Sequence, residues 1–125
     1  MRVWERLVSA VAVAVICGGA EYALGRERLR HADLHAWYQE INRDNFNGEL
    51  QDVPVGWDDL TSEDANGVTY FYLDGTARIE IDRAMTTERQ VREVLRHEAC
   101  HVLVRDDGVR VEMHGPEFRE CMKRF

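Results

Sequence analysis

Two histidines four residues apart, with a glutamate beside the first, are the residues in this chain best suited to chemistry. They form His97-Glu98-Ala99-Cys100-His101. The surrounding apolar residues Val91, Val94, Leu95, Val102 and Leu103 recur with helical spacing. On a helix, four residues turn the chain by about 400°, so both imidazoles share a face, roughly 6 Å apart along the axis. They can then converge on one metal ion. Glu98 falls on an adjacent stripe, where its carboxylate can reach a water at that metal without binding the metal. Cys100 lies on another stripe and is not expected to be a ligand.

A catalytic zinc takes three protein ligands and keeps one position open. The third must come from elsewhere in the chain. His114 is the only histidine downstream of His101, and it precedes a segment that can fold back onto the metal helix. Glu117 and Glu120, on that following segment, are the alternatives. His31 and His35 are also four apart, but no glutamate follows His31 and the region is polar, so a solvated surface accounts for them.

Several elements must position these groups. Leu34, Trp37, Tyr38 and Ile41 make one apolar stripe, Phe46 extends it, and Asn47-Gly48 should stop that helix. Three short strands follow, over 53–57, 67–72 and 77–82. Pro54 places the first at a sheet edge or at its own start. Asp74-Gly75 makes a tight turn that pairs the second and third strands as a hairpin. In the third, Ala77, Ile79 and Ile81 should face inward, and Arg78, Glu80 and Asp82 a solvated side. The aromatic run Tyr70-Phe71-Tyr72 reads as alternate burial in a strand. Thr87 with Gln90 fits a capping box that starts the metal helix, and Gly108 should end that helical region after Asp106-Asp107. Pro116 suits the first turn of a closing helix with Phe118, Cys121 and Met122 inward.

Residues 1–25 stand apart as an apolar N-terminal segment. Arg2 and Arg6 precede a run over 7–20 with no charge and one polar residue, Ser9. That length is short for a membrane span but suits a signal-peptide core, with cleavage after Ala20. An uncleaved membrane anchor reaching Leu24 and an apolar helix packed on the domain are the other readings. Export or membrane anchoring is favoured over a cytoplasmic location. Residues 26–33 form a charged linker, and 34–125 the domain. The three cysteines, Cys17, Cys100 and Cys121, form no C-x-x-C and are too few for a disulfide framework. Cys100 and Cys121 read as small apolar packing residues. The net charge is −7, all of it outside residues 1–25, where two arginines balance two glutamates. Such a body does not favour broad electrostatic binding of nucleic acid, though a local basic groove stays open.

With His97-Glu98-x-x-His101 and His114-Gly115-Pro116-Glu117-Phe118 in view, the chain resembles the SprT-like family of zinc metallopeptidases, which includes the Spartan proteases. Supporting residues are Tyr38-Gln39-Glu40-Ile41-Asn42, Asn45-Phe46-Asn47-Gly48-Glu49-Leu50, Trp57, Gly67 and the strand through Asp82. The resemblance covers about residues 34–125. It implies one zinc ion held by His97, His101 and His114, with Glu98 as catalytic acid/base. It also implies an α+β minimal zincin fold: an N-terminal helix, a small three-stranded, mostly antiparallel sheet, the metal helix and a short C-terminal helix. The implied activity is hydrolysis of peptide bonds in a protein or peptide substrate by a zinc-activated water. An exposed edge strand, with 77–82 as the candidate, would hold the peptide by strand addition. Two departures set this chain apart: it ends soon after Phe118, without the zinc ribbon of many relatives, and its N-terminus is apolar. Both, with the acidic charge, weigh against the Spartan role of cleaving proteins crosslinked to DNA. A non-catalytic module with structural zinc is the other class considered.

Overall fold

The computed structural model describes residues 28–105 and 114–125. The chain divides into two compact units, residues 1–32 and 33–125. Of the first, only 28–32 are described, a turn closed by bonds from the His31 and Ala32 N–H groups to the Arg28 and Leu29 carbonyls. The apolar run over 7–20 lies outside the described residues. Among the described residues, no helix is long and apolar enough to cross a membrane.

The second unit is α+β, a small mixed sheet carrying helices on one face. Helix α1 runs Leu34–Phe46. Asp33 caps it, accepting from the Ala36 N–H at 3.0 Å. Asn47 ends it in the left-handed conformation, φ 52°, which an asparagine tolerates better than most side chains. Leu34, Tyr38, Ile41 and Phe46 are buried as the stripe requires. Trp37 is only half-buried and lies under the Arg92 guanidinium, 4.6 Å from its ring centre. The Asn42 side chain then ties the returning loop to α1, bonding the Leu50 N–H at 3.0 Å and the Leu50 carbonyl at 3.2 Å.

Strands β1 (Val55–Asp58), β2 (Gly67–Phe71) and β3 (Ala77–Asp82) follow. The sheet order is β1-β3-β2, with β1 parallel and β2 antiparallel to β3. Pro54 therefore stands at the start of an edge strand, where its missing N–H is harmless. β3 is central, which corrects the assignment of 77–82 as an exposed edge: both its sides are already paired. Ala77, Ile79 and Ile81 are buried beneath the helices. Glu80 corrects the reading of a wholly solvated outer face, for it is buried too. Hydrogen bonding to Asp58, then burial, raises its pKa, the Arg78 guanidinium 2.9 Å from its carboxylate opposes this, and the contact with Glu80 lowers the pKa of Asp58.

Helix α2 runs Glu88–Leu103. Its capping box is formed as expected: Thr87 accepts from the Gln90 N–H at 3.2 Å, and the Gln90 side chain accepts from the Thr87 N–H at 3.2 Å. Arg92 bonds Glu88 at 2.8 Å within α2 and Glu40 at 3.1 Å across to α1. The helix stops at Leu103, short of the expected end near Gly108, which lies outside the described residues. Just beyond, Arg105 clamps the β2–β3 turn, donating to the carbonyls of Tyr72, Gly75 and Thr76, and stacks over Phe71.

Helix α3 (Pro116–Met122) closes the unit, with Pro116 in its first turn and Phe118 and Cys121 buried. Cys100 and Cys121 form a disulfide between α2 and α3, with Cα atoms 5.7 Å apart. This corrects their reading as free packing thiols. Both are buried, as that reading required, but two cysteines across one helix pair at this distance can bond.

Candidate metal centre

One face of α2 presents His97 and His101, because their spacing returns the chain to the same side after just over a turn. His114 enters from the turn before α3. Its Nε2 lies 3.3 Å from His97 Nε2 and 3.2 Å from His101 Nε2, and the first two are 3.2 Å apart. The three nitrogens thus form a nearly equilateral triangle. Three lone-pair donors so close repel one another unless a cation or proton lies among them. Ligands about 2.05 Å from a tetrahedral zinc stand about 3.3 Å from one another, so the triangle fits one face of that tetrahedron. Among the described residues, these three are the cluster able to hold a metal ion.

The setting favours the neutral, metal-ready form of His97 and His101. Burial pushes the pKa of His101 down to about 4, helped by the charges of His97 and His114. Burial, then His114, lowers that of His97. Phe118 forms the floor, its ring centre 4.8 Å from that of His97, 4.5 Å from His101 and 4.9 Å from His114. A rigid apolar ring in contact with all three imidazoles restricts how each can turn.

Glu98 is not part of the triangle. It is buried on the neighbouring stripe, and its Oε2 accepts a bond from Thr69 Oγ1 at 2.5 Å. Burial raises its pKa, and the Thr69 bond partly opposes this. Gly67 makes room for it: a Cβ there would stand 2.5 Å from Val94 Cγ1 and 3.2 Å from Glu98 Oε1. Only glycine allows β2 to pass this close to α2. A cleft of about 280 Å³ opens between β2 and the triad, lined by Gly67, Val68, Thr69, Phe71, Glu98 and the three histidines.

The other residues singled out from the sequence lie elsewhere. Glu120 is exposed and pairs with Lys123 at 2.8 Å. It lines, with Glu117, a separate open groove that contains none of the histidines. His35 bonds Asp52 at 2.7 Å. Tyr70 points its hydroxyl at the Glu63 carboxylate, and Phe71 and Tyr72 are exposed rather than alternately buried. Thr69 and the close approach at Gly67 were missed. A lone threonine in a β-branched, aromatic strand carries no signal, but a glycine opening such a strand does hint at close backbone approach.

A small α+β domain with three converging imidazoles and a buried carboxylate at their side is of a metallopeptidase-like class. The chain belongs to the SprT-like family, whose model matches residues 34–125. No curated protein matches the chain.

Proposed function

We propose that this domain is a zinc-dependent metallopeptidase hydrolysing peptide bonds in unfolded or extended protein segments. The observation that carries the reading is the triangle of His97, His101 and His114 nitrogens with Glu98 beside it but outside it. Three imidazoles suit zinc and leave one position of a tetrahedron open toward the cleft. Zinc bound there supplies a Lewis acid that lowers the pKa of a water and polarises a carbonyl.

The protein's own groups do the rest. Glu98 is the general base: it takes the proton of the attacking water and returns it to the leaving amine. Burial raises its pKa, which suits a group that must both accept and give back a proton. Phe118 keeps the imidazoles in register. The open cleft beside the triad favours a catalytic over a closed structural site. Among the described residues, the sheet edge that borders the triad, and so suits strand addition there, is that of β2, in place of 77–82.

The Cys100–Cys121 bond supports placing the domain in an oxidising compartment, in keeping with export or anchoring through residues 1–25. The test is cleavage of an unfolded casein-type substrate by wild type and Glu98→Gln, each with its zinc content measured. The reading expects equal zinc and no hydrolysis by Glu98→Gln. Full activity in that variant removes Glu98 from the mechanism.

A further inference from the structure

We propose that Thr69 is a positioning residue that joins peptide docking to orientation of the base, an inference that rests on the metallopeptidase reading. The phase of the β2–β3 ladder is fixed at both ends. The Asp82 N–H donates to the Asn66 carbonyl, and the Tyr72 N–H to the Thr76 carbonyl. With Val68 opposite Glu80 and Tyr70 opposite Arg78, the even-numbered residues of β2 spend their backbone groups on β3. The Ile79 N–H goes instead to the Pro54 carbonyl on β1, as this phase requires. Gly67, Thr69 and Phe71 therefore turn their N–H and C=O groups toward the outer edge, where no strand pairs among the described residues.

An extended peptide added at that edge would bond the backbone of Thr69 while the side chain of the same residue holds Glu98. The hydroxyl has one proton, and the bond to Oε2 uses it. That fixes the carboxylate plane through one oxygen and leaves Oε1 to exchange protons. A β-branched side chain on a paired strand has little freedom at χ1, so its hydroxyl is a stiff anchor. Gly67, two residues earlier on the same face, brings the backbone against the other side of the carboxylate. Seating of the substrate backbone and aim of the base thus depend on one residue.

Thr69→Val keeps the shape and removes the donor, while Thr69→Ser keeps the donor. In the full chain loaded with zinc, Thr69→Val should keep one zinc per chain and lose about tenfold or more in kcat with KM little changed, and Thr69→Ser should stay within about threefold of wild type. In metal-free protein, the carbon-13 signal of the Glu98 carboxyl should move in Thr69→Val and stay in place in Thr69→Ser. A Thr69→Val enzyme with wild-type kcat overturns the inference while Glu98→Gln remains inactive and the broader reading stands. Equal loss in both variants, or an unmoved carboxyl signal, also overturns it. A zinc-loaded wild type inert toward unfolded protein and peptide overturns the metallopeptidase reading, and this inference with it.

Discussion

Replacing both Cys100 and Cys121 by alanine removes the covalent link between the metal helix and the helix that follows the third histidine. The two cysteines are 21 positions apart in sequence. Closing a loop of about 20 residues in the unfolded chain corresponds to roughly 3 kcal/mol of native-state stability in the chain-entropy model. For a domain of 60–100 residues each kcal/mol moves Tm by about 4–8 °C, so the metal-free variant should melt roughly 12–24 °C lower. Both sulfurs are buried, so small cavities add to the loss. The same loop contains His101, Phe118 and His114, and a metal ion joining the two histidines would close most of it again. Two cross-links on one loop are not additive. The deficit should therefore shrink on zinc loading, while zinc affinity itself falls because His114 and Phe118 lose their tether. Thermal unfolding of metal-free and zinc-loaded protein, wild type against the double variant, reads both effects. A metal-free Tm within about 4 °C of wild type would refute the reasoning. So would titratable thiols at Cys100 and Cys121 in native protein purified without reductant.

Gly67→Ala should destabilise the protein by about 1–3 kcal/mol, although alanine ordinarily suits a strand better than glycine, because the new methyl meets Val94 Cγ1; a urea melt showing stabilisation would contradict this. The depressed pKa of His101 has a sign that can be checked in metal-free protein. Below about pH 6.5 the unfolded chain takes up a proton that folded His101 accepts only near pH 4, so stability must fall as pH drops through that window. Glu98, with its pKa raised, acts in the opposite sense, so the comparison is with His101→Ala: urea midpoints at pH 7 and pH 4.5 should fall further in wild type than in the variant. Equal falls would show that His101 does not resist protonation.

Local signals in the sequence were legible and distant ones were not. The Thr87–Gln90 box and the Asn47 stop each depend on near neighbours in the chain, and the structure forms them as read. The hairpin followed from Asp74-Gly75, where Gly75 takes φ 92°. The convergence of His97, His101 and His114 needed only one helical repeat and one return of the chain. Strand order was harder. The placing of β3 between β1 and β2 depends on a parallel pairing 24 positions apart, Val55 with Ile79, which alternation cannot reveal. Alternation also placed Glu80 in solvent, whereas Arg78, paired with it at 2.9 Å, and the neighbouring Asp58 give its carboxyl partners while it is buried. The Cys100–Cys121 bond escaped because burial alone is equally well served by two free thiols. Thr69 became visible only when β2 was laid against α2, since nothing in a threonine's neighbours says which carboxylate its hydroxyl will meet.

X-ray absorption at the zinc edge of the zinc-loaded chain counts the ligands of the triad. One zinc per chain with three imidazole nitrogens at about 2.0 Å is expected. Fewer than three imidazoles, or a sulfur donor from Cys100 or Cys121, would contradict it.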